Sequence, residues 1–283
     1  MKSFKQYLVP ESAGEAVRLR AESGSGSLYI AGGTTIVPAA SKGVETLIDI
    51  SRLGLSGIDI GEKSIRIGAA TRLAELVTPE IEQALPMLYR AARACATPLV
   101  RNMATVGGAI SGIFLPSDIG IPLLALGAKV TLEGKERVTE ALEDMVPDRW
   151  PPGDRLIVEV EVPLPGERTG CGFEKFTRNA IDIGLVNVAA VATISDGGAI
   201  DDLRVAVGQS TSTPVLLKGP DLDGTGEPAS EEAVRRIAGG IAGKVKPASD
   251  SKASPEYRGH LIEVLSARAI AAALGETGVS FGD

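Results

Sequence analysis

The chain has 283 residues, of which 44% are hydrophobic and 23% charged, enough for two or three subdomains of an ordinary globular protein. Its formal net charge of -7 argues against a nucleic-acid partner, because phosphate binding requires a basic face. No apolar stretch approaches the roughly 18 residues of a membrane span, and the N-terminus lacks a signal-peptide core, so we expect no membrane span and a cytoplasmic location.

Cysteine and histidine are too few for several kinds of site. Cys95 and Cys171 cannot form a disulfide framework, and they supply too few thiolates for an iron–sulfur cluster. His260 is the only histidine and lies in a strongly helical tail, where a packing or solvent-facing role is expected rather than a Ser-His-Asp triad or a zinc site. We therefore predict no catalytic residue and no metal ligand, so redox chemistry would need an organic cofactor.

The first 55 residues predict a small α/β unit. FKQYLVP is an extended segment, and the capping-box pattern of Ser12 and Glu15 begins a helix that continues through AVRLRAE. The apolar segments SLYIA and TLIDIS are predicted strands. The first of these strands runs directly into Gly32 and Gly33.

Residues 56–166 predict a second unit of different texture. GIDIGEKSIRIG is a predicted β-hairpin in which Ile58 and Ile60 face Ile65 and Ile67. Periodicity predicts helices in TRLAELV, PEIEQALPMLYRAARACA and DIGIPLLALG, and a strand in AKVTLEG. The segment PDRWPPGDRLIVEVEVPLP predicts a proline-rich loop and a closing strand, after which proline and glycine mark a linker.

Residues 167–283 predict a third unit with an antiparallel sheet. GFEKFTR is a strand, and VNVAAVATISDGGAIDDLRVAVGQS is a long hairpin that turns at Asp196 to Gly198. Two helices follow, EEAVRRIAGGIAG and a tail from about residue 256 to 275. The whole chain is therefore expected to be α+β.

Two glycine-rich loops offer the same chemistry. They are AGGTT at 31–35, which leads into a helix, and TVGGAIS at 105–111. Glycine lets backbone N–H groups approach an anion, and hydroxyl residues beside it add donors. Neither loop fits a Walker A or a Rossmann pattern, and either could be an ordinary turn. Two such loops on two subdomains suit a bridging diphosphate, as in FAD.

Four segments, in order and spacing, resemble the FAD-binding subunit of the molybdenum hydroxylases, the family of xanthine dehydrogenase and aerobic carbon monoxide dehydrogenase. They are AGGTTIVPAA, TPLVRNMATVGGAISGIFLPSDIGIPLLALGAKVTLEG, FEKFTRNAIDIGLVNVAAVAT and SPEYRGHLIEVLSARAI, which together span essentially the whole chain. The resemblance implies a two-subdomain FAD-binding fold of the vanillyl-alcohol oxidase or PCMH type, residues 1–55 and 56–166. A C-terminal flavoprotein domain, residues 167–283, would follow.

The resemblance also implies the residues that contact FAD. Residues 32–36 and 105–109 would hold the diphosphate, and Asn102 belongs to a pair that shapes the second loop. Asp118 would bind the nucleotide half, or else cap the following helix. Lys175 would stabilise the anionic reduced flavin near its N1/C2 edge, or else face water from a strand. The full predicted set is Ala31, Gly32, Gly33, Thr34, Thr35, Ile36, Asn102, Thr105, Gly107, Gly108, Ala109, Ser111, Asp118 and Lys175.

Three positions depart from the family pattern. Ala109 stands where the family commonly has asparagine after the Gly-Gly pair, so one amide contact to FAD is absent. Thr35 replaces a frequent Asp, Ser or Asn, and Arg178-Asn179 replaces a pair of arginines. None of the three alters the predicted backbone cradle, but all bear on the affinity for FAD.

The implied function is electron transfer within a heterotrimeric molybdenum hydroxylase. A large subunit would carry molybdopterin and a small subunit [2Fe–2S] clusters, which pass electrons to the non-covalent FAD of this chain and on to NAD or a quinone. A dimer of heterotrimers is the expected assembly. Only two cysteines argue against the branch whose flavin subunit carries an extra cluster, 4-hydroxybenzoyl-CoA reductase.

Two alternatives remain open at this point. One is a stand-alone FAD-dependent reductase or oxidase, such as the UDP-N-acetylenolpyruvoylglucosamine reductase type. It would need its own catalytic acid and substrate-binding residues. The other is a non-catalytic assembly subunit whose degraded cradle no longer holds FAD.

Overall fold

The computed structural model describes residues 4–39, 43–111, 117–146 and 154–279. In the N-terminal part, the capping prediction is confirmed, since the Ser12 side chain accepts a hydrogen bond from the Glu15 N–H at 3.1 Å. A 3-10 helix follows the first helix at Gly24–Gly26 and another lies at Leu73–Leu76. The other elements are β1 (Gln6–Leu8), α1 (Ala13–Ser23), β2 (Ser27–Ile30), α2 (Ile36–Ala39), β3 (Thr46–Asp49), β4 (Ile58–Ile60) and β5 (Ser64–Gly68).

The middle of the chain is built from short elements. Proline occupies the first helical turn of three of its helices, where its missing N–H costs nothing. The elements are α3 (Pro79–Ala84), α4 (Pro86–Ala94), α5 (Pro98–Arg101), α6 (Val106–Ile110), α7 (Gly120–Ala125), β6 (Lys129–Glu133), β7 (Val138–Ala141), α8 (Leu142–Met145) and β8 (Leu156–Pro163).

The C-terminal part has longer strands and helices. Both of its long helices begin at a serine whose hydroxyl accepts a backbone N–H, Ser230 and Ser254. The elements are β9 (Thr169–Phe176), β10 (Val186–Ile194), β11 (Ile200–Gly208), β12 (Val215–Lys218), a 3-10 helix (Gly219–Asp221), α9 (Glu231–Lys244) and α10 (Pro255–Glu276).

Contacts divide the chain into two compact units. Unit 1 comprises Met1–Leu76, Thr97–Leu115 and Gly127–Pro163, and unit 2 comprises Val77–Ala96, Pro116–Leu126 and Leu164–Asp283. The finer division at residue 55 and the domain boundaries drawn from the sequence stay predictions.

Unit 1 contains two sheets. A three-stranded sheet has the order β1-β3-β2 with parallel pairs, and a five-stranded antiparallel sheet has the order β4-β5-β8-β6-β7. The predicted hairpin is confirmed, because Ile58 pairs with Ile67 and Ile60 with Ile65. One hydrophobic core lies where α1 and β3 pack against β8. Its buried residues are Ala16, Ile48, Ile50, Leu156 and Val158.

Unit 2 is a four-stranded antiparallel sheet, β12-β11-β10-β9, with α10 against β9 and β10 and α9 against α10. Two glycines of β9 allow the helix to approach the sheet backbone. A Cβ at Gly170 or Gly172 would lie 2.0 Å from the carbonyl oxygen of Ala273 or Ala269. The predicted α+β class, with an antiparallel C-terminal sheet and two helices, is confirmed.

Several local predictions need correction. TRLAELV forms only a 3-10 turn, and PEIEQALPMLYRAARACA is two helices separated at Leu85, because Pro86 begins a new one. The strands β7 and β12 had no clear sequence signal. The proline-rich loop predicted at 147–153 lies outside the described residues. Of the helices that the described ranges contain, none has the length and apolarity needed to cross a membrane.

Candidate functional site

The first glycine loop presents unused backbone donors. Residues 31–36 connect β2 to α2 and are all half-buried. Gly33 has φ +66°, a left-handed conformation that glycine adopts without strain. Within the described part of the chain, the N–H groups of Gly32, Gly33, Thr34 and Thr35 donate to no protein acceptor. Four consecutive N–H groups without an acceptor are the donor set that a diphosphate requires.

The first glycine loop packs against the segment that precedes the second one. A Cβ on Gly32 would lie 1.8 Å from the Met103 carbonyl oxygen, so backbone packs directly on backbone there. Met103 stands two residues before Thr105, where the second loop begins. Both loops belong to unit 1, and their joint contact with one diphosphate stays a prediction.

The second loop is a short buried helix whose backbone donors are already in use. The N–H of Val106 donates to Thr71 O at 2.9 Å, and that of Gly107 to Ala69 O at 2.8 Å. Gly108 N–H donates to the Thr105 hydroxyl oxygen at 3.2 Å, and Ala109 N–H to Thr105 O at 2.8 Å. The expectation that this loop is a second cradle of free N–H groups is therefore wrong. Thr105 acts as an N-cap instead.

The remaining predicted contacts in and near the second loop are the Ser111 side chain and the residues Asn102, Gly108 and Ala109. The Ser111 hydroxyl donates to Gly108 O at 3.0 Å, so this side chain also stabilises the loop itself. Asn102 is exposed just after α5, and Gly108 is exposed on α6, while Ala109 is half-buried. That these residues contact FAD stays a prediction.

In unit 2, the predicted site residues Asp118 and Lys175 form a buried ion pair. Lys175 Nζ donates to Asp118 Oδ2 at 2.6 Å and to the Ala94 carbonyl at 3.1 Å. The two side chains are only 6% and 7% exposed, so the alternative of a water-facing lysine is wrong. The helix-cap alternative for Asp118 is also wrong, because the Ser117 hydroxyl accepts the N–H of Gly120.

Two side chains that sequence reasoning missed complete this cluster. Asn187 Nδ2 donates to Asp118 Oδ1 at 3.2 Å, and Gln209 Nε2 donates to the same oxygen at 2.9 Å. Burial raises the pKa of Asp118, and Lys175, Gln209 and Asn187 each oppose that rise by stabilising the carboxylate. No local motif points to either amide, because they lie 69 and 91 residues from Asp118 along the chain.

The remaining chemically capable residues lie elsewhere. His260 is exposed on α10, as expected, and Cys171 is buried in β9. Burial, and secondarily the Glu276 carboxylate, raises the pKa of the Cys171 thiol to about 12, so it stays protonated at neutral pH. Within the described ranges no group of three or more His, Cys, Asp or Glu side chains is arranged to hold a metal ion.

The described residues fit FAD in their donor chemistry. In unit 1, the run of free N–H groups at 32–35 suits a diphosphate. In unit 2, Lys175 uses two of its three N–H bonds on Asp118 and Ala94, and the third has no acceptor among the residues that the structure describes. A cationic donor held in this way suits a ring carbonyl or ring nitrogen that gains negative charge on reduction.

Comparison with known families covers nearly the whole chain. Residues 2–165 match the family described as FAD binding domain in molybdopterin dehydrogenase. Residues 172–273 match the CO dehydrogenase flavoprotein C-terminal domain.

Individual relatives agree with these matches. The chain is 32% identical to the 6-hydroxypseudooxynicotine dehydrogenase complex subunit alpha of Paenarthrobacter nicotinovorans, over 95% of this chain and 94% of the relative. It is 30% identical to the xanthine dehydrogenase FAD-binding subunit of Escherichia coli O157:H7, over 98% and 99%. Among solved structures, a chain of carbon monoxide dehydrogenase from Hydrogenophaga pseudoflava superposes with a TM-score of 0.88 at 28% identity, over 97% and 98%.

Proposed function

This chain belongs to the FAD-binding flavoproteins of the molybdopterin dehydrogenases, and on that premise we propose that it is the FAD-carrying electron-transfer subunit of a molybdenum hydroxylase. The family matches span both of its parts, residues 2–165 and 172–273. The observation that carries the proposal is the first glycine loop. Its four N–H groups, which have no acceptor among the described residues, lie beside a glycine at φ +66° and suit a diphosphate within the matched FAD domain.

The proposed partners of this chain are inferred from the names of its relatives. They are named as medium chains and subunits, including the medium chain of carbon monoxide dehydrogenase from Hydrogenophaga pseudoflava. The partners of this chain are a large subunit with the molybdenum cofactor and a small subunit with [2Fe–2S] clusters. NAD or a quinone accepts the electrons, and the complex is a dimer of heterotrimers.

Each group of residues has a defined task toward FAD, which when bound accepts and releases the electrons. The N–H groups of Gly32 to Thr35 bind the diphosphate, and Gly32 fixes this loop against the Met103 carbonyl. The N-cap at Thr105 keeps α6 rigid beside it. The Lys175 ammonium would face the ring as a cationic donor, and a nearby cation would favour the form of the ring that carries negative charge.

The experiment is the flavin content of the purified full chain. Denaturing the protein is expected to release free FAD into the supernatant, which absorbance and chromatography identify. Flavin that stays with the precipitated chain would contradict non-covalent binding. A chain that binds no FAD even when it is supplied would be an assembly subunit instead.

A matched pair of variants links the flavin to the first loop. Gly33 and Gly198 both have positive φ, +66° and +77°, so alanine strains each backbone similarly. Gly33→Ala is expected to lose FAD because the strain rotates the donor N–H groups. Gly198→Ala, in the turn between β10 and β11, is expected to retain it. Equal flavin content in the two variants would show that the first loop is an ordinary turn.

A further inference from the structure

Gln209 has a backbone conformation that glycine would hold with less strain. It follows directly on β11 and has φ +63°, one of three non-glycine residues at positive φ in the described ranges. A side chain in this region is disfavoured by contact between Cβ and the backbone. Such strain is kept where surrounding structure enforces it, and it points to a function of the residue.

The surrounding structure enforces this conformation through Arg258. Arg258 is buried, and its Nη1 donates to the carbonyl oxygens of Gln209 and Leu185, both at 2.7 Å. Its Nη2 donates to Asp250 Oδ2 at 2.8 Å. A charged guanidinium with two carbonyls and a carboxylate has a fixed orientation. The carbonyl of Gln209 is therefore held beside that of Leu185, the residue before β10.

The Gln209 side chain uses this position to reach Asp118. Its Nε2 donates to Asp118 Oδ1, while its own Oε1 is buried and has no donor among the described residues. Asn187 has the same arrangement, with Nδ2 on Asp118 and Oδ1 unpaired. An unpaired buried oxygen lowers stability. In both amides, therefore, the NH₂ group donates to the Asp118 carboxylate while the amide oxygen accepts no hydrogen bond from the described residues.

Gly184 leaves the space that the Gln209 amide occupies. A Cβ at position 184 would lie 1.8 Å from Gln209 Oε1. Arg258, Gln209, Asp118 and Lys175 thus form a chain of hydrogen bonds. Its last member, Lys175 Nζ, lies 2.6 Å from Asp118 Oδ2.

We propose that Gln209 is a positioning residue that fixes the Asp118 carboxylate and, through it, aims the third N–H of Lys175 at the ligand. This inference rests on the proposed function in taking that ligand to be the flavin of FAD. Asp118 and Ala94 hold two of the three Lys175 N–H bonds, so the direction of the third follows from where Asp118 is held. Since Lys175 favours the anionic reduced flavin more than the oxidised one, loosening Asp118 makes the reduction potential more negative.

Two substitutions separate positioning from stability. Gln209→Gly removes the amide and relieves the strain at φ +63°, whereas Gln209→Leu removes the amide and keeps the strain. The glycine variant is expected to melt at a higher temperature than the leucine variant. Both are expected to shift the flavin reduction potential to more negative values by similar amounts, measured by spectroelectrochemistry of the full chain. Gly184→Ala, which displaces the Gln209 amide while leaving residue 209 unsubstituted, is expected to shift the potential in the same direction.

Two outcomes of the potential measurement would overturn the proposal. Potentials that stay at the wild-type value, or that follow the melting temperatures of the two variants, would assign Gln209 a purely structural role. A second readout does not need flavin, so it remains decisive if the chain binds no FAD. Acetylation of Lys175 in the flavin-free chain, followed by mass spectrometry, is expected to be faster in both Gln209 variants, while that of exposed Lys63 is unchanged. An unchanged rate at Lys175 would overturn the positioning role whatever the ligand is.

Discussion

Asp118 Oδ2 and Lys175 Nζ lie 2.6 Å apart in the interior of unit 2, although 57 residues separate them in the chain. The resemblance assigns Asp118 to the nucleotide half of FAD and Lys175 to its flavin, which are opposite ends of an extended cofactor. Two side chains in hydrogen-bond contact cannot lie at opposite ends of such a cofactor. Any ligand that meets the Lys175 ammonium group would therefore be influenced by Asp118 through that same group.

Replacing one member of this ion pair is expected to lower the free energy of unfolding much more than replacing both. Asp118→Asn or Lys175→Met leaves one buried charge unpaired, and each is expected to lower the free energy of unfolding by about 3–5 kcal/mol. The double variant is expected to recover part of that loss. Urea denaturation of the four proteins measures the coupling. The exposed pair Glu231–Arg235 is the control, where the coupling should stay below about 1 kcal/mol; additive effects at Asp118 and Lys175 would mean that no buried pair forms.

The contact between Gly32 and Met103 predicts opposite effects for one substitution at two glycines. Gly32→Ala places a methyl group into the Met103 carbonyl, and is expected to lower stability by about 1–3 kcal/mol and to reduce FAD content. Gly14→Ala, in α1 with no atom near its Cβ, is expected to raise stability by about 0.5–1 kcal/mol. Thermal melting and flavin absorbance test both. A Gly32→Ala variant as stable as wild type would show that the loops do not pack as described.

The packing of α10 on β9 predicts a second pair of this kind. Gly172→Ala forces the helix away from the sheet, since its Cβ would lie 2.0 Å from Ala269 O, and is expected to cost about 1–3 kcal/mol. Gly259→Ala lies in the same helix with open space around it and is expected to be stabilising. Melting temperatures that move in the same direction for both variants would contradict this close approach.

Alkaline pH is expected to destabilise the protein through Cys171. Its pKa is raised from 9.0 to about 12 in the folded chain, chiefly by burial. Well below pH 9 the thiol is protonated in both the folded and the unfolded chain, so its ionisation does not change the free energy of unfolding. Above that pH the unfolded chain loses the proton first, so the free energy of unfolding falls as pH rises. Urea denaturation between about pH 8 and 11 is expected to show a shallower decline for Cys171→Ala; an identical slope would mean that the thiol is accessible in the folded chain.

The sequence predicted what depends on local patterns. The alternation of Ile58, Ile60, Ile65 and Ile67 identified a hairpin with its register, and the first Gly-Gly pair identified a loop whose N–H groups have no acceptor among the described residues. Thr105 carried a local signal that was misread, because a threonine three residues before Gly108 is also an N-cap. Thr105 accepts the N–H groups of Gly108 and Ala109, while those of Val106 and Gly107 donate to Thr71 O and Ala69 O.

What depends on long-range packing had no sequence pattern. Asn187 and Gln209 reach Asp118 from β10 and from the end of β11, and only the folded sheet places the two amides together. The positive φ of Gln209 is likewise not indicated by its residue type, and the Gln209 carbonyl accepts a hydrogen bond from Arg258 of α10. Glycine would have been the expected residue there.

The last prediction concerns the place of this chain in an electron path. Isolated, it is expected to bind FAD without oxidising typical substrates of the family, such as purines, aldehydes or carbon monoxide, because the proposed function assigns that oxidation to a molybdenum subunit. Anaerobic mixing of substrate with the purified chain is expected to leave the flavin absorbance unchanged. Adding the molybdenum and iron–sulfur subunits is expected to bleach it. Gly33→Ala in the full complex is the matched control, in which clusters are reduced but no flavin signal follows. Bleaching of the flavin in the isolated chain by such a substrate would replace the electron-transfer role with that of a stand-alone flavoenzyme.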